Sequence, residues 1–247
     1  MLSLRAVSVS FRERGRVVPV LENVSLEIAD RQFVCVAGPS GCGKSTLLRV
    51  MMGLLPPTSG TLLNDGRALV GVNLRAAVVF QSFALLPWLT VQANVELGLK
   101  ARDLSEEAAR RRAAFYLDKV GLDGYEEAYP AELSGGMKQR AGLARALAVE
   151  PDILFMDEPF AGLDPLTSAN LREEVLTLWS DHELPVRTVV MVTHIIEEAV
   201  LMADRVVVLS SRPGRVAADV PIPLERPRIK RSEGFDALVD SIFEKIV

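Results

Sequence analysis

Gln32-Phe-Val-Cys-Val-Ala37, Gly38-Pro-Ser-Gly-Cys-Gly-Lys-Ser-Thr46 and Leu47-Leu-Arg-Val-Met-Met-Gly-Leu-Leu55 are consecutive stretches whose reading decides the fold. The first is a continuous apolar run, as expected of a strand buried on both faces. The last has helical spacing, and a helix is predicted over 46–55 until Pro56-Pro57 stop it. Between them, Gly38–Thr46 fits G-x-x-x-x-G-K-[ST]. Gly38, Pro39, Ser40, Gly41, Cys42, Gly43, Lys44, Ser45 and Thr46 therefore read as a phosphate cradle. Glycines let the backbone curl so that successive N–H groups face phosphate oxygens. The following helix brings its positive end to the same place. Lys44 is expected to reach the β- and γ-phosphates of a nucleotide, and the Ser45 hydroxyl to hold Mg²⁺.

Downstream, Ile153-Leu-Phe-Met-Asp157-Glu158 is an apolar strand that ends in two carboxylates. Beyond a phosphate loop, that pair suits a metal and a water. Asp157 would serve the Mg²⁺ shell, and Glu158 would act as general base on the attacking water. Leu133-Ser-Gly-Gly-Met-Lys-Gln-Arg140 places Ser134, Gly135 and Gly136 ahead of a helix predicted from Met137 to Val149. A helix N-terminus beside a serine hydroxyl is a second anion site. One triphosphate does not need two such sites from one chain. The second therefore points to the nucleotide of another copy.

The wider pattern is α/β. Leu2–Phe11 and Leu21–Ile28 alternate as strands about a polar turn at Arg12–Arg16. Thr188–Val192 and Arg205–Leu209 are apolar strands separated by helical segments near 166–179 and 195–203, the signature of a mainly parallel sheet. Residues 82–150 differ in character: Ser105-Glu-Glu opens a helix that Gly121 ends. Phe235–Ile246 carries one apolar stripe, which should fold back on the sheet or await a partner. The expected organisation is one domain over 1–247. It has a nucleotide-binding core in 1–81 and 151–220, a helical subdomain in 82–150 and an extension in 221–247.

The 28 basic against 32 acidic residues give a net charge of −4, which argues against a broad nucleic-acid face. No apolar run approaches the roughly 18 residues of a membrane span, so a membrane link is expected through a partner. Met1–Ser10 lacks the pattern of a signal peptide, and a cytosolic location is expected. Cys35 and Cys42 are too few for a disulfide framework, and His182 has no context that assigns it a role.

In motif order, nearly the whole chain resembles the ATP-binding subunits of ABC transporters. Gly38–Thr46 matches the Walker A loop, Gln81 of Val78-Val-Phe-Gln81 the Q-loop, Leu133–Arg140 the signature, and Met156-Asp-Glu158 the end of Walker B. Ala161-Gly-Leu-Asp164 is similar to the D-loop, where the family more often has Ser-Ala-Leu-Asp. Thr193-His194 is similar to the switch histidine, followed by Ile195 where many relatives carry aspartate or asparagine. Phe11 lies where the family places an aromatic that stacks on adenine; a strand core position is the equal alternative.

The resemblance implies ATP and Mg²⁺ as ligands. Ser45, Gln81 and Asp157 would lie around the metal, Asp164 near the nucleotide, and His194 at the γ-phosphate. It also implies a P-loop ATPase of ABC type with an N-terminal antiparallel β part and an inserted helical subdomain. The partners would be a second copy in a head-to-tail dimer, integral permease subunits at the inner membrane and, indirectly, a solute-binding protein.

Leu85-Leu-Pro-Trp-Leu-Thr-Val91, Glu158-Pro-Phe160 and Ser211-Arg-Pro-Gly-Arg-Val216 resemble the nitrate, sulfonate and taurine importer branch. Trp88 in the first of these should be either core or a docking surface. A soluble ABC-type ATPase of DNA maintenance would carry a coiled coil, and no heptad run is present. An exporter subunit stays open as the alternative.

Overall fold

The computed structural model describes residues 1–102, 104–181 and 184–246; His182 lies outside them. The strands are β1 (Leu2–Glu13), β2 (Arg16–Ile28), β3 (Phe33–Ala37), β4 (Ser59–Asn64), β5 (Arg67–Ala68), β6 (Ala76–Val79), β7 (Ile153–Asp157), β8 (Thr188–Thr193), β9 (Arg205–Leu209) and β10 (Val216–Pro221). The helices are α1 (Lys44–Met51), α2 (Val91–Lys100), α3 (Glu106–Lys119), α4 (Gly135–Ala148), α5 (Pro165–Ser180), α6 (Ile196–Met202) and α7 (Glu233–Phe243). They divide into two compact units, Met1–Asn73 with Thr188–Val247, and Leu74–Arg187.

In the first unit β1 lies between β2 and β4 in an antiparallel sheet. Residues 12–16, expected as a turn, are mostly strand. The reversal needs only Arg14 and Gly15, whose positive φ values of 48 and 79° suit a tight hairpin. β3 is wholly buried and lies parallel to both β8 and β9, with Ala37 beside Thr193 and Val208. The carboxyl ends of these strands therefore form one edge. The helix expected over 46–55 is α1, which ends at Met51; Gly53, at φ 72°, turns the chain before Pro56 is reached.

The C-terminal extension closes on α6. Arg228 is buried, and its guanidinium donates to the carbonyls of Val200 and Ala203 at 2.6 and 2.5 Å. Arg226 donates to the Met202 carbonyl and pairs with Asp204. Two cations thus satisfy the carbonyl end of a short helix, where the macrodipole favours them. Burial, with the neighbouring Arg226 charge, pulls the Arg228 pKa down to about 10. The apolar stripe of α7 folds back on α6 and buries Phe235 and Ile242.

In the second unit β6 and β7 are parallel, with Val79 beside Met156. Helices α2, α3 and α4 pack on one another. Each has a hydroxyl N-cap: Thr90, Ser105 and Ser134 accept from the N–H groups of Ala93, Ala108 and Met137. The fold is α/β, with parallel strand pairing at its core, an antiparallel N-terminal sheet and an inserted set of helices. Among the described residues no helix is long and apolar enough to cross a membrane.

Candidate functional site

The first cluster lies on the carboxyl edge of β3, β8 and β9. Gly38 is buried, and a Cβ there would come within 2.8 Å of the Leu209 carbonyl and 2.9 Å of Cys42 Sγ. Gly43, at φ 105°, caps α1, so the loop enters the helix through a conformation that disfavours any side chain. Lys44 is the first residue of α1 and is buried. Its ammonium donates to the carbonyls of Gly38 and Pro39 at 2.9 and 3.1 Å. A buried cation inside a ring of backbone, at a helix N-terminus, fits a polyphosphate. Ser45 and Thr46 follow in the first turn of α1, and Ser40 and Gly41 form the exposed lip. Cys42 is buried, and burial pushes its thiol pKa up while the Lys44 charge pulls it down.

His194 belongs to the same edge. It follows Thr193, the neighbour of Ala37, and its side chain is exposed. The third member was not recognised as such from sequence. Gly214 donates its N–H to Val20 at 2.8 Å, and its carbonyl accepts from Glu22 N–H at 3.0 Å. A Cβ on Gly214 would overlap the Cys42 carbonyl. The loop after β9 thus braces the glycine loop from outside. Phe11 of β1 is 39% exposed, which removes the alternative that its ring is core.

The second cluster lies at the carboxyl ends of β6 and β7. Pairing of Val79 with Met156 brings the chain at Gln81 and at Asp157-Glu158 to the same end of this strand pair. Gln81 is exposed, and Asp157 and Glu158 are half-buried. Glu158 has φ 45°, a left-handed conformation that costs a non-glycine residue on the order of 1 kcal/mol or more. Its carbonyl accepts from Ala161 N–H at 3.1 Å, closing the turn that aims it. A serine hydroxyl, an amide oxygen and a carboxylate are the hard oxygen donors that Mg²⁺ takes, with phosphate and water completing its shell. Ser45, Gln81 and Asp157 are of this chemical kind. Among the described residues no three His, Cys, Asp or Glu side chains cluster as a metal site of their own.

The signature residues stand at the start of α4. Ser134 is exposed and spends its hydroxyl as N-cap, accepting from Met137 N–H at 3.3 Å. A Cβ on Gly136 would come within 2.5 Å of Thr167, so this glycine lets α5 approach; one on Gly135 would meet Leu163 at an ordinary 3.4 Å. Asp164 is the N-cap of α5; its carboxylate accepts from Leu166 and Thr167 N–H at 3.1 and 3.0 Å. Hydrogen bonding from the Thr167 side chain, and then from these N–H groups, lowers its pKa from the ordinary carboxylate value.

The loop after Gln81 is braced by residues whose part the sequence did not show. Phe83 and Ala84 are left-handed, at φ 61 and 48°, and Arg145 of α4 donates to both carbonyls. Asn94 is buried. It accepts from Leu86 N–H at 2.7 Å and donates toward the carbonyls of Leu86, Leu89 and Thr90. On the loop so held, Trp88 is 70% exposed, so it is not core.

Comparison with known proteins gives the family. A family model described as ABC transporter matches residues 21–161. A nitrate import ATP-binding protein of Synechocystis is 45% identical over 239 residues, 93% of this chain and 88% of that one. A taurine import ATP-binding protein of Rhizobium johnstonii is 47% identical over 219 residues, 88% of this chain and 82% of that one. A solved dimeric ATP-binding cassette, in a post-hydrolysis state bound to ADP and Pi, superposes with a TM-score of 0.78 at 32% identity, over 91% of this chain and all of that one. The chain belongs to the ABC transporter family and is an ATPase cassette of that family.

Proposed function

We propose that this chain powers import of a small anion or organic solute, of the nitrate, sulfonate or taurine kind, through permease subunits at the cytoplasmic face of the membrane. The observation that carries the ATPase part is the shared edge of β3 and β8, where the Walker A loop and His194 follow neighbouring residues. Lys44 and the backbone N–H groups of the glycine loop, Pro39 excepted, hold the phosphates. Phe11, exposed on β1, offers its face to adenine. Ser45, Gln81 and Asp157 would hold Mg²⁺, which when bound supplies positive charge to the phosphate oxygens. Glu158 takes the proton of the attacking water, and His194 senses the γ-phosphate.

Ser134, Gly135 and Gly136 serve the nucleotide of a second copy, with Asp164 fixing the adjacent turn. The dimeric cassettes among the solved relatives support a dimer. ATP then acts as an interfacial ligand that shifts the dimer toward its closed state, and hydrolysis releases it. The importer part is supported by the relatives named for nitrate and taurine import.

Two experiments test these parts. Ser134→Arg should keep ATP binding by the monomer and lose dimerisation and turnover; loss of monomer binding would refute the shared site. Co-purification with permease and solute-binding subunits, followed by ATP-dependent solute uptake in vesicles, tests the importer assignment. Outward transport in that assay would make this an exporter subunit.

A further inference from the structure

We propose that Thr193 and Glu198 form a buried positioning pair that fixes the turn carrying His194, and through it the geometry in which His194 meets the γ-phosphate. The inference rests on the reading of His194 given above.

Thr193 is 2% and Glu198 5% exposed. Thr193 Oγ1 donates to Glu198 Oε2 at 2.9 Å and accepts from Ile195 N–H at 3.1 Å. Ile195 is the N-cap residue of α6, and Glu198 stands three positions on. At many helix starts the residue in that place reaches back to the N-cap N–H directly, while the N-cap side chain caps in return. An isoleucine cannot cap, and α6 has no side-chain cap bond from this position. The reciprocal contact is instead relayed through one hydroxyl, from Ile195 N–H to Thr193 to the Glu198 carboxylate.

His194 lies inside this relay. The residue before it and the residue after it are bonded to each other, and its own side chain is left exposed. Both supports of the relay are stiff. Thr193 ends β8 and pairs with Ala37, the residue before the Walker A loop. The far end of α6 is held by Arg228. The main chain at His194 is therefore referenced to the phosphate loop. Burying a carboxylate is costly unless it is engaged, and the Thr193 hydroxyl engages this one.

The test measures ATP turnover, ATP affinity and thermal midpoint for Thr193→Val, Thr193→Ser, His194→Ala and the double variant Thr193→Val/His194→Ala. Thr193→Val should lower kcat by about 10- to 100-fold, because misplacement of a reacting group costs that much. ATP affinity should stay within about twofold, since a group acting only in the transition state leaves ground-state binding alone. Thr193→Ser should restore turnover, and adding Thr193→Val to His194→Ala should cost nothing further. Ile195→Asp, which gives α6 a cap of its own, should recover part of the Thr193→Val loss. Independent, multiplying losses in the double variant would overturn the proposal. So would wild-type kcat in Thr193→Val, or a loss of affinity as large as the loss of turnover. If His194→Ala itself turns over normally, the reading of His194 fails and the positioning role falls with it. Should Thr193→Val not fold, Thr193→Ala removes the same hydroxyl without adding an atom and is judged by the same outcomes.

Discussion

At the carboxyl edge of β3, β8 and β9, the polar groups are tied down from within. Lys44 is buried against two loop carbonyls, Gly214 lies against the Cys42 carbonyl, and the His194 turn is bracketed by Thr193 and Glu198. At the carboxyl ends of β6 and β7 the backbone itself is strained. Glu158, Phe83 and Ala84 are all left-handed, and Gln81 and Trp88 are exposed. Groups that must bind the same anion in every cycle are best set by buried bonds. Groups that carry chemistry or respond to a partner are drawn from strained and exposed positions.

The comparison can be broken at either edge. The largest effect is expected at Glu158. Glu158→Gln should slow hydrolysis by about 10²–10⁴ while ATP still binds, and the ATP-bound dimer should accumulate in size-exclusion chromatography. Near-normal turnover would reduce the left-handed turn to a mere connection. Next is the brace on the first edge. Gly214→Ala pushes on the Cys42 carbonyl and should weaken ATP affinity by about tenfold, in line with the cost of a displaced binding group. Equilibrium binding of unchanged strength would show that edge to be softer than its contacts imply.

Trp88→Ala follows. The thermal stability of the isolated chain should change by no more than about 0.5 kcal/mol, as for other surface positions. Recovery of the membrane subunit in co-purification should nevertheless fall, because exposed tryptophans concentrate binding energy. The smallest effect is expected at Cys42. Alkylation should be slow at neutral pH, equal with and without ATP, and should speed up only above the ordinary thiol range. Its raised pKa and burial both withhold the thiolate. Rapid labelling at neutral pH would reveal opening of the first edge.

What the sequence disclosed follows the same division. Gln32–Ala37 and Thr188–Val192 were legible because strands covered on both faces read as nearly continuous apolar runs. The phosphate loop was legible because its glycines and lysine are dictated locally. Ser105 and Ser134 announced helix starts through capping chemistry that spans three residues. Contacts between distant residues were not legible. Nothing in Ser211–Val216 says that Gly214 meets the carbonyl of Cys42, and nothing near Phe83 and Ala84 says that Arg145 will hold their carbonyls. Helix α2 is masked in the sequence: Val91, Val95 and Leu99 recur at helical spacing, but buried Gln92 and Asn94 interrupt the apolar pattern. Strands β4, β5 and β10 are short or half-exposed and lack an apolar run. Asp164, expected near the nucleotide, has a carboxylate that caps α5, a role as local as that of Ser134.

Asn94 has a thermodynamic consequence for any partner that meets Trp88. A loop left loose in the free protein would have to be ordered at the moment of binding, at roughly 1–2 kcal/mol per residue fixed. Here one buried amide already holds the main chain at Leu86, Leu89 and Thr90. The ordering entropy of that loop is settled when the chain folds. Association then draws on the full contact energy of the exposed indole, and encounter proceeds with a preformed surface whose shape does not wait on the partner.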